Sequence, residues 1–331
     1  MSKNKKSLIK YTVIIAAVIL LFIITRKSWG DILNELSRTS AEKIGVVIVL
    51  SAGYFVLEGL VIKILAVKYD PEFSLAQGTS CAYYCCFYKM ITFGSGGGIA
   101  EIYYLNKRGV PAAKATGMDL VQYMLQRMSI VVYGLLCVLV FFKDVKEPLE
   151  GYKVYLLTGS LMVIAVVGVL IAAGTSKTVS GKLFQWAERI LGNKKEWRDK
   201  LERLREQAVI LQAESRELLH EKKKLMVILG VNLVKLTFWY AVPMAALYSE
   251  PGLTWQAVLA LTALAFMLAG VIPAPAGLGT VEVVFLLLFT RITSSAKAVS
   301  AMLLLRFATN GIPFVVGGVC SLIIGKNGKA Q

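Results

Sequence analysis

The sequence predicts an all-α polytopic membrane protein, with about six full transmembrane helices and two re-entrant helical hairpins arranged as an inverted repeat. Of its 331 residues 56% are hydrophobic, and the mean hydropathy of +0.63 exceeds what a soluble core of this size needs. Several apolar runs approach the roughly 20 residues that cross a hydrocarbon core. Two further apolar runs are each interrupted by glycine or proline and carry the pattern G-x-G-x-x-E.

The uninterrupted runs define the predicted spans. Tyr11–Thr25 is short and follows a basic N-terminus, as a signal peptide does, but it continues into Arg26 and Lys27 without a small-residue cleavage site. It is therefore predicted to stay as an uncleaved first span. The other predicted spans are Ile44–Val67, Thr116–Phe142, Lys153–Ala173, Leu225–Leu247 and Ala296–Ile324.

The interrupted runs are predicted to be re-entrant hairpins. Leu75–Leu105 breaks at Gly94–Gly98, and Leu253–Thr290 breaks at Pro273–Gly279. Proline removes a helical N–H group, and clustered glycines destabilise a continuous helix. Irregular backbone at membrane depth is tolerated only inside protein or along a wet cavity, so each run is interpreted as two half-helices joined by a turn. A pair of kinked spans is the alternative.

The net charge of +16 is interpreted through its location. Lysine and arginine concentrate at the N-terminus, in the segment 177–224 and at the C-terminal tail, which predicts cytoplasmic segments facing anionic lipid, with both termini inside. The basic loop 26–43 is the exception to this orientation. The segment 177–224 has apolar residues at helical spacing and is predicted to be a cytoplasmic amphipathic linker. This distribution does not indicate nucleic-acid binding.

No cofactor or metal is expected. The five cysteines all fall in apolar runs, and the single histidine lies in a charged run. This pattern indicates neither a disulfide framework nor a metal site. Phosphate-binding loops, nucleophile elbows and metalloprotease motifs are not found in the sequence.

The order of elements predicts a duplication. Unit one, about 44–142, and unit two, about 225–324, each contain a span, a hairpin with G-x-G-x-x-E, and a second span with an embedded arginine. Since unit one starts outside and unit two inside, the units are predicted to be related by a pseudo-two-fold axis in the membrane plane. In transporters built this way, broken helices meet at a substrate site near the midplane.

The candidate substrate-binding residues follow from this arrangement. They are Glu58, Gly96, Gly98, Glu101, Arg127, Gly277, Gly279, Glu282 and Arg306. The free N–H groups at the start of each second half-helix attract an anion such as a lipid phosphate. The two motif glutamates are expected in the first turns of those half-helices.

Two interpretations of these charges stay open. In the structural one, Glu101 and Glu282 cap their helices and pair with Arg127 and Arg306. In the functional one, the arginines bind a headgroup phosphate and the glutamates bind an amine, because ionisable groups inside a membrane usually mark a substrate or proton path. A further pair is expected between Glu58 and Lys235, which occupy corresponding positions in the two units.

The stretch "VIPAPAGLGTVEVVFLLLF", followed by "AVSAMLLLRFATNGIPFVVGG", resembles the transmembrane region of the lysylphosphatidylglycerol synthase/flippase family, the bacterial multiple peptide resistance factor proteins. The resemblance extends over residues 8–325, and its C-terminal motif is the specific part. The matching positions are Pro273, Pro275, Gly277, Gly279, Glu282, Arg306, Pro313 and Gly317.

The resemblance implies a phospholipid flippase of the bacterial plasma membrane, with aminoacylated lipids such as lysylphosphatidylglycerol among its expected substrates. Full-length relatives add a cytosolic domain that transfers lysine from charged tRNA to phosphatidylglycerol, whereas these 331 residues contain only the membrane half. The alternatives are a membrane subunit or enzyme of aminoacyl-phospholipid or glycolipid synthesis, working with a soluble transferase partner, and a scaffold without transport. The lipid, its direction, energy coupling and oligomeric state stay open.

Overall fold

The computed structural model describes residues 40–146, 150, 158–165, 168–169, 172, 176–191, 201–206, 208–210, 212–213, 221–248, 250–270 and 279–327. Every regular element in these ranges is helical, which confirms the predicted all-α class. The helices are α1 Ala41–Ala66, α2 Leu75–Ile91, α3 Gly96–Asn106, α4 Ala112–Val140, α5 Phe142–Val145, α6 Lys177–Leu191, α7 Lys222–Tyr240, α8 Met244–Leu247, α9 Trp255–Ala269, α10 Thr280–Phe289, α11 Ser295–Arg306 and α12 Ile312–Asn327, with a π-helical turn at Phe307–Gly311.

Four helical stretches are long and apolar enough to cross a membrane. They are α1, α4, α7 continued through α8 to Leu247, and Ser295–Ile324, which runs from α11 through the π turn into α12. These are four of the six predicted spans. The predicted span Tyr11–Thr25 lies outside the described residues, and Lys153–Ala173 is described only in part. The chain is a multi-pass membrane protein by these features.

The first interrupted run forms two antiparallel helices. A capping box between Ser74 and Gln77 starts α2, and the chain reverses at Phe93 and Gly94, whose φ angles are 54° and 106°. The Tyr104 hydroxyl near the end of α3 donates to the carbonyl of Gln77 at the start of α2 over 3.0 Å. Contact between these distant ends shows that α3 folds back along α2.

The second interrupted run also consists of two helices that pack against each other, α9 and α10. Thr254 caps α9, accepting a hydrogen bond from the Ala257 N–H over 3.1 Å. Gly279 directly precedes α10 with a φ of 91°, a backbone conformation that favours glycine. Residues 271–278 lie outside the described residues, so the prolines of the predicted break and Gly277 do too.

The hairpins pack in matching ways. The first arm α2 contacts α1 and α12, and the first arm α9 contacts α7 and α4. The second arm α3 contacts α4, and the second arm α10 contacts α11. In the predicted repeat, α1 corresponds to α7, α2 to α9, α3 to α10, and α4 to α11 and α12. With this correspondence, each of the hairpin contacts just given in one unit has its counterpart in the other.

Glycines allow the first arm α2 to approach its neighbours closely. A Cβ atom on Gly78 of α2 would overlap the carbonyl oxygen of Gly59 in α1. A Cβ atom on Gly317 of α12 would likewise overlap the carbonyl oxygen of Tyr83 in α2. Small residues at such crossings bring backbones together where hydrophobic burial alone cannot drive helix association.

Several connections that the predicted topology places on one side lie together at one end of the bundle. The Lys43 ammonium lies 5.0 Å from the ring centroid of Tyr248. The Thr254 hydroxyl donates to Asp144 over 2.8 Å, and Lys297 forms an ion pair with Glu250. The connections before α1, after α4, before α9 and before α11 therefore share a face.

The described residues of the segment 177–224 form two helical stretches before α7, whereas the sequence suggested a single amphipathic helix. Glu188 in α6 and Arg205 lie 3.9 Å apart, and the Gln212 amide donates to the carbonyl of Ser176 over 3.5 Å. In one straight helix Glu188 and Arg205 would be about 25 Å apart at 1.5 Å per residue. The chain therefore reverses between α6 and the helical residues that begin at 201.

Candidate functional site

A bidentate ion pair joins the start of α10 to the end of α11. Arg306 donates from Nε to Oε1 of Glu282 over 2.6 Å, and its Nη2 lies 2.6 Å from Oε2. Oε2 also accepts from the backbone N–H of Gly279 over 2.7 Å, so Glu282 caps its own helix. The two side chains are 14% and 28% exposed. Both parts of the structural interpretation, capping and pairing, are present in unit two.

Arg306 is followed directly by the π-helical turn Phe307–Gly311, a feature missed in the sequence. The Pro313 ring would clash with the carbonyl of residue 309 in a regular α-helix, and a wider turn avoids this. Ser51 of α1 donates to the carbonyl of Ala308 over 2.7 Å. A proline a few residues after an embedded arginine was the available signal.

Arg127 lies at the other end of the second hairpin's interruption. Its Nη1 atom is 3.4 Å from where a Cβ atom of Gly270 would stand, and Gly270 caps the C-terminus of α9. Its guanidinium also lies 5.0 Å from the ring centroid of Tyr123. A cation is favourable at a helix C-terminus, where unpaired carbonyls concentrate negative charge. The two arginines therefore border the same break, Arg127 where α9 ends and Arg306 where α10 begins.

The ion pair between Glu101 and Arg127, which the structural interpretation predicted, does not form. Glu101 is buried at 4% exposure, and its Oε1 atom has no hydrogen-bond partner among the described residues. The expected place of Glu101 in a first turn is also wrong, because α3 starts at Gly96 and Glu101 is its sixth residue. The helix starts early since Thr92 Oγ1 accepts from the Gly96 N–H over 2.6 Å.

The first turn of α3 faces a carboxylate that the sequence analysis did not select. A Cβ atom on Gly98 would lie 2.5 Å from Oδ2 of Asp119 in α4. Gly98 therefore allows close approach of a side chain from the same unit, and Gly96 similarly faces Thr92. The N-termini of the second arms α3 and α10 were expected to attract a phosphate. Each already lies next to a protein carboxylate, that of Asp119 in unit one and that of Glu282 in unit two.

Glu58 and Lys235 form the expected ion pair at the contact between α1 and α7. The Lys235 side chain is fully buried, and its ammonium also donates to Oε1 of Gln126 over 2.6 Å. Gln122 donates from Nε2 to Oε1 of Glu58 over 2.9 Å. The ring of Tyr54 contributes a cation–π contact, with its centroid 5.3 Å from the ammonium.

Three polar residues of α4 carried a sequence signal. Asp119, Gln122 and Gln126 follow one another at spacings of three and four residues within a predicted span that also contains Arg127. Residues at such spacing share one face of a helix. A polar stripe of this kind in a transmembrane helix predicts a buried network rather than a lipid-facing surface.

Within the ranges given above, no group of three His, Cys, Asp or Glu side chains could hold a metal ion. The closest cysteine contact is between the Sγ atoms of Cys81 and Cys85, 3.8 Å apart on one face of α2.

Comparison with protein families assigns the chain. The family model described as "Lysylphosphatidylglycerol synthase TM region" matches residues 8–317. The chain therefore belongs to this family. No curated protein matches the chain.

Proposed function

We propose, from its membership in this family, that the chain moves phospholipid between the two leaflets of the membrane, and that an aminoacylated phospholipid of the lysylphosphatidylglycerol type is among its substrates. One observation carries the proposal: Arg127 and Arg306 lie at the two ends of one helix interruption, between Gly270 and Gly279. Two cations beside non-helical backbone form a site for a phosphate.

The arginines differ in how available they are to a ligand. Arg306 is bound to Glu282, whereas Arg127 lies against the Tyr123 ring and the end of α9 and forms no ion pair with any described residue. The phosphate binds Arg127 first, and Arg306 joins when its pair with Glu282 opens. Glu282 is then free to bind the amine of an aminoacyl headgroup.

The contact pattern of the hairpins supports an inverted repeat around this site. Exchange of the two units maps the α2–α12 contact onto the α9–α4 contact and the α3–α4 contact onto the α10–α11 contact. With both hairpins re-entrant, the connections that share one end of the bundle lie outside, and the termini and α6 lie inside. In this topology the interruption next to the arginines sits at membrane depth.

The test is leaflet-resolved lipid movement in liposomes. Purified protein is reconstituted with fluorescent phosphatidylglycerol or lysylphosphatidylglycerol, and an impermeant reductant destroys the fluorescence of outer-leaflet lipid. Wild-type protein is expected to expose the inner pool. Arg127→Gln should slow exposure about 10- to 100-fold, the effect of losing one charge-assisted hydrogen bond.

Two further variants sharpen this test. The double variant Arg306→Met with Glu282→Gln removes both charges, so it should fold but lose lipid movement. Arg203→Gln, at an exposed position of the segment after α6, should match the wild type. Full lipid movement in a stable double variant would exclude Arg306 from headgroup binding.

A further inference from the structure

We propose that Glu101 and Asp119 form a proton-binding site that holds one exchangeable proton between them, and that this proton is taken up and released as lipid moves. The coupling to lipid movement rests on the proposed function, whereas the proton site itself does not. Chemically, one O–H bond forms on a carboxylate oxygen and later breaks, releasing the proton to water.

The first argument is the burial of Glu101. Its side chain is 4% exposed, and its Oε1 atom receives no hydrogen bond from any described residue. An ionised carboxylate with such an oxygen, which has neither water nor a donor, is an unfavourable arrangement for a charge. A protonated carboxyl removes the charge and becomes a donor itself.

The second argument is the charge on the surrounding elements. Asp119 of α4 lies against α3 at Gly98, three residues before Glu101 and on the same helix face. Glu101 interacts electrostatically with Asp119 and with Glu58 of α1. From α2, the thiols of Cys81 and Cys85 interact electrostatically with the same carboxyls, and the exposed Lys89 lies against Gly97 at the start of α3.

The buried cation nearby is already engaged. Lys235 of α7 is bound to Glu58 and Gln126. Among the described residues, the Lys235 ammonium is paired with Glu58, and no cation is paired with Glu101 or Asp119. Two neighbouring carboxyls of this kind cannot both stay ionised in a buried site, so one of them keeps a proton.

A second buried acceptor without a donor lies on the neighbouring helix α4. Gln122 is 8% exposed and lies one turn after Asp119 on α4. Its Nε2 is committed to Glu58, and its Oε1 has no partner among the described residues. Glu101 and Gln122, which both interact with Glu58, thus each have an acceptor oxygen that lacks a donor among the described residues. A proton bound between Glu101 and Asp119 supplies a donor to the first of these oxygens.

Comparison with unit two shows why the site lies in unit one. Glu282 receives two bonds from Arg306 and one from the Gly279 N–H, so its charge is fully compensated. Glu101 holds the same place in the G-x-G-x-x-E pattern, but no described arginine is paired with it and it lies beyond the free N–H groups of its helix start. One motif glutamate is therefore kept ionised and the other is a place to bind a proton.

Infrared difference spectroscopy tests the proton site without any transport assay. Purified protein at neutral pH should show the absorption of a protonated carboxyl group, and this band should decrease on titration to alkaline pH. Glu101→Gln should remove or shift the band and should still fold, since glutamine imitates the neutral acid. Asp119→Asn should also alter it. Glu42→Gln, at an exposed glutamate of α1, should leave it unchanged.

Liposomes with a pH gradient test the coupling. The gradient should change the rate of lipid movement in wild-type protein and in Glu42→Gln, and it should have no effect in Glu101→Gln. No protonated-carboxyl band at neutral pH, or a band unaffected by both site variants, overturns the proton site. A rate of lipid movement that does not change with the pH gradient overturns the coupling. A normal band in protein that moves no lipid supports the proton site and contradicts the proposed function instead.

Discussion

Substitution of Lys235 is the most direct test of how the interior of this membrane protein stabilises a buried charge. Its ammonium is fully buried between α1, α4 and α7 and bound to Glu58 and Gln126. The substitution Lys235→Met keeps most of the side-chain volume, so little cavity forms. It does leave the Glu58 carboxylate, which is 19% exposed, with the Gln122 amide as its one remaining hydrogen-bond partner among the described residues.

The expected loss follows from that stranded carboxylate. Breaking a buried pair by removing one partner costs about 3–5 kcal/mol. Because Glu58 keeps the Gln122 bond and some exposure, the lower end applies, about 3 kcal/mol, or roughly 150-fold in the unfolding equilibrium. Adding Glu58→Gln removes the stranded charge, and the double variant should then lie within about 1 kcal/mol of the wild type, the worth of a lost hydrogen bond.

The measurement is a denaturant titration of detergent-solubilised protein, followed by circular dichroism of the helices. Lys222→Met, at the exposed start of the same helix, serves as the control and should stay within about 0.5 kcal/mol of the wild type. Losses that simply add in the double variant would refute the reasoning, since a true pair gives a coupling free energy of about 2 kcal/mol.

Further predictions concern glycine, the outer loops and sidedness. Gly279→Ala should destabilise by about 1–2 kcal/mol because of its φ of 91°, whereas Gly45→Ala, in open helix, should not. The hydrogen bond from Lys297 lowers the pKa of Glu250 below its ordinary value. The stability that this pair contributes is therefore present above the ordinary pKa of a glutamate and is lost as the pH falls through the lowered pKa. Lys297→Gln should match the wild type in thermal stability only in acid. An impermeant thiol reagent applied to intact cells should label Lys297→Cys but not Lys182→Cys.

The sequence predicted those features that depend on composition and order along the chain. The apolar runs defined the four described spans, and the corresponding positions of Glu58 and Lys235 predicted their ion pair. The ion pair between Glu282 and Arg306 was also predicted, as part of the structural interpretation. In both cases the cost of an unpaired charge in lipid favours an ion pair, but the same reasoning also predicted the Glu101–Arg127 pair, which does not form.

The parts that failed depend on local geometry. The two G-x-G-x-x-E strings look equivalent, yet α3 starts at the first glycine and α10 starts after the second, because Thr92 caps Gly96. This shift of one helical turn moves Glu101 away from the helix start. Asp119 was overlooked because its importance comes from facing Gly98 across a helix contact, which the sequence does not display.

The glycine contacts of α2 restrict how the molecule can move. Gly78 touches the backbone of α1 at Gly59, and Gly317 brings α12 against the backbone at Tyr83. The helix α2 is therefore in direct backbone contact with a helix of each unit. Rocking one unit rigidly against the other would separate these backbones. Among the described glycines, Gly96 and Gly97 of α3 approach the backbone of α2 within the same hairpin, and none brings α10 against another helix. In the transport cycle proposed above, α1, α2 and α12 would therefore stay together as one frame, and displacement would fall on the helices outside it.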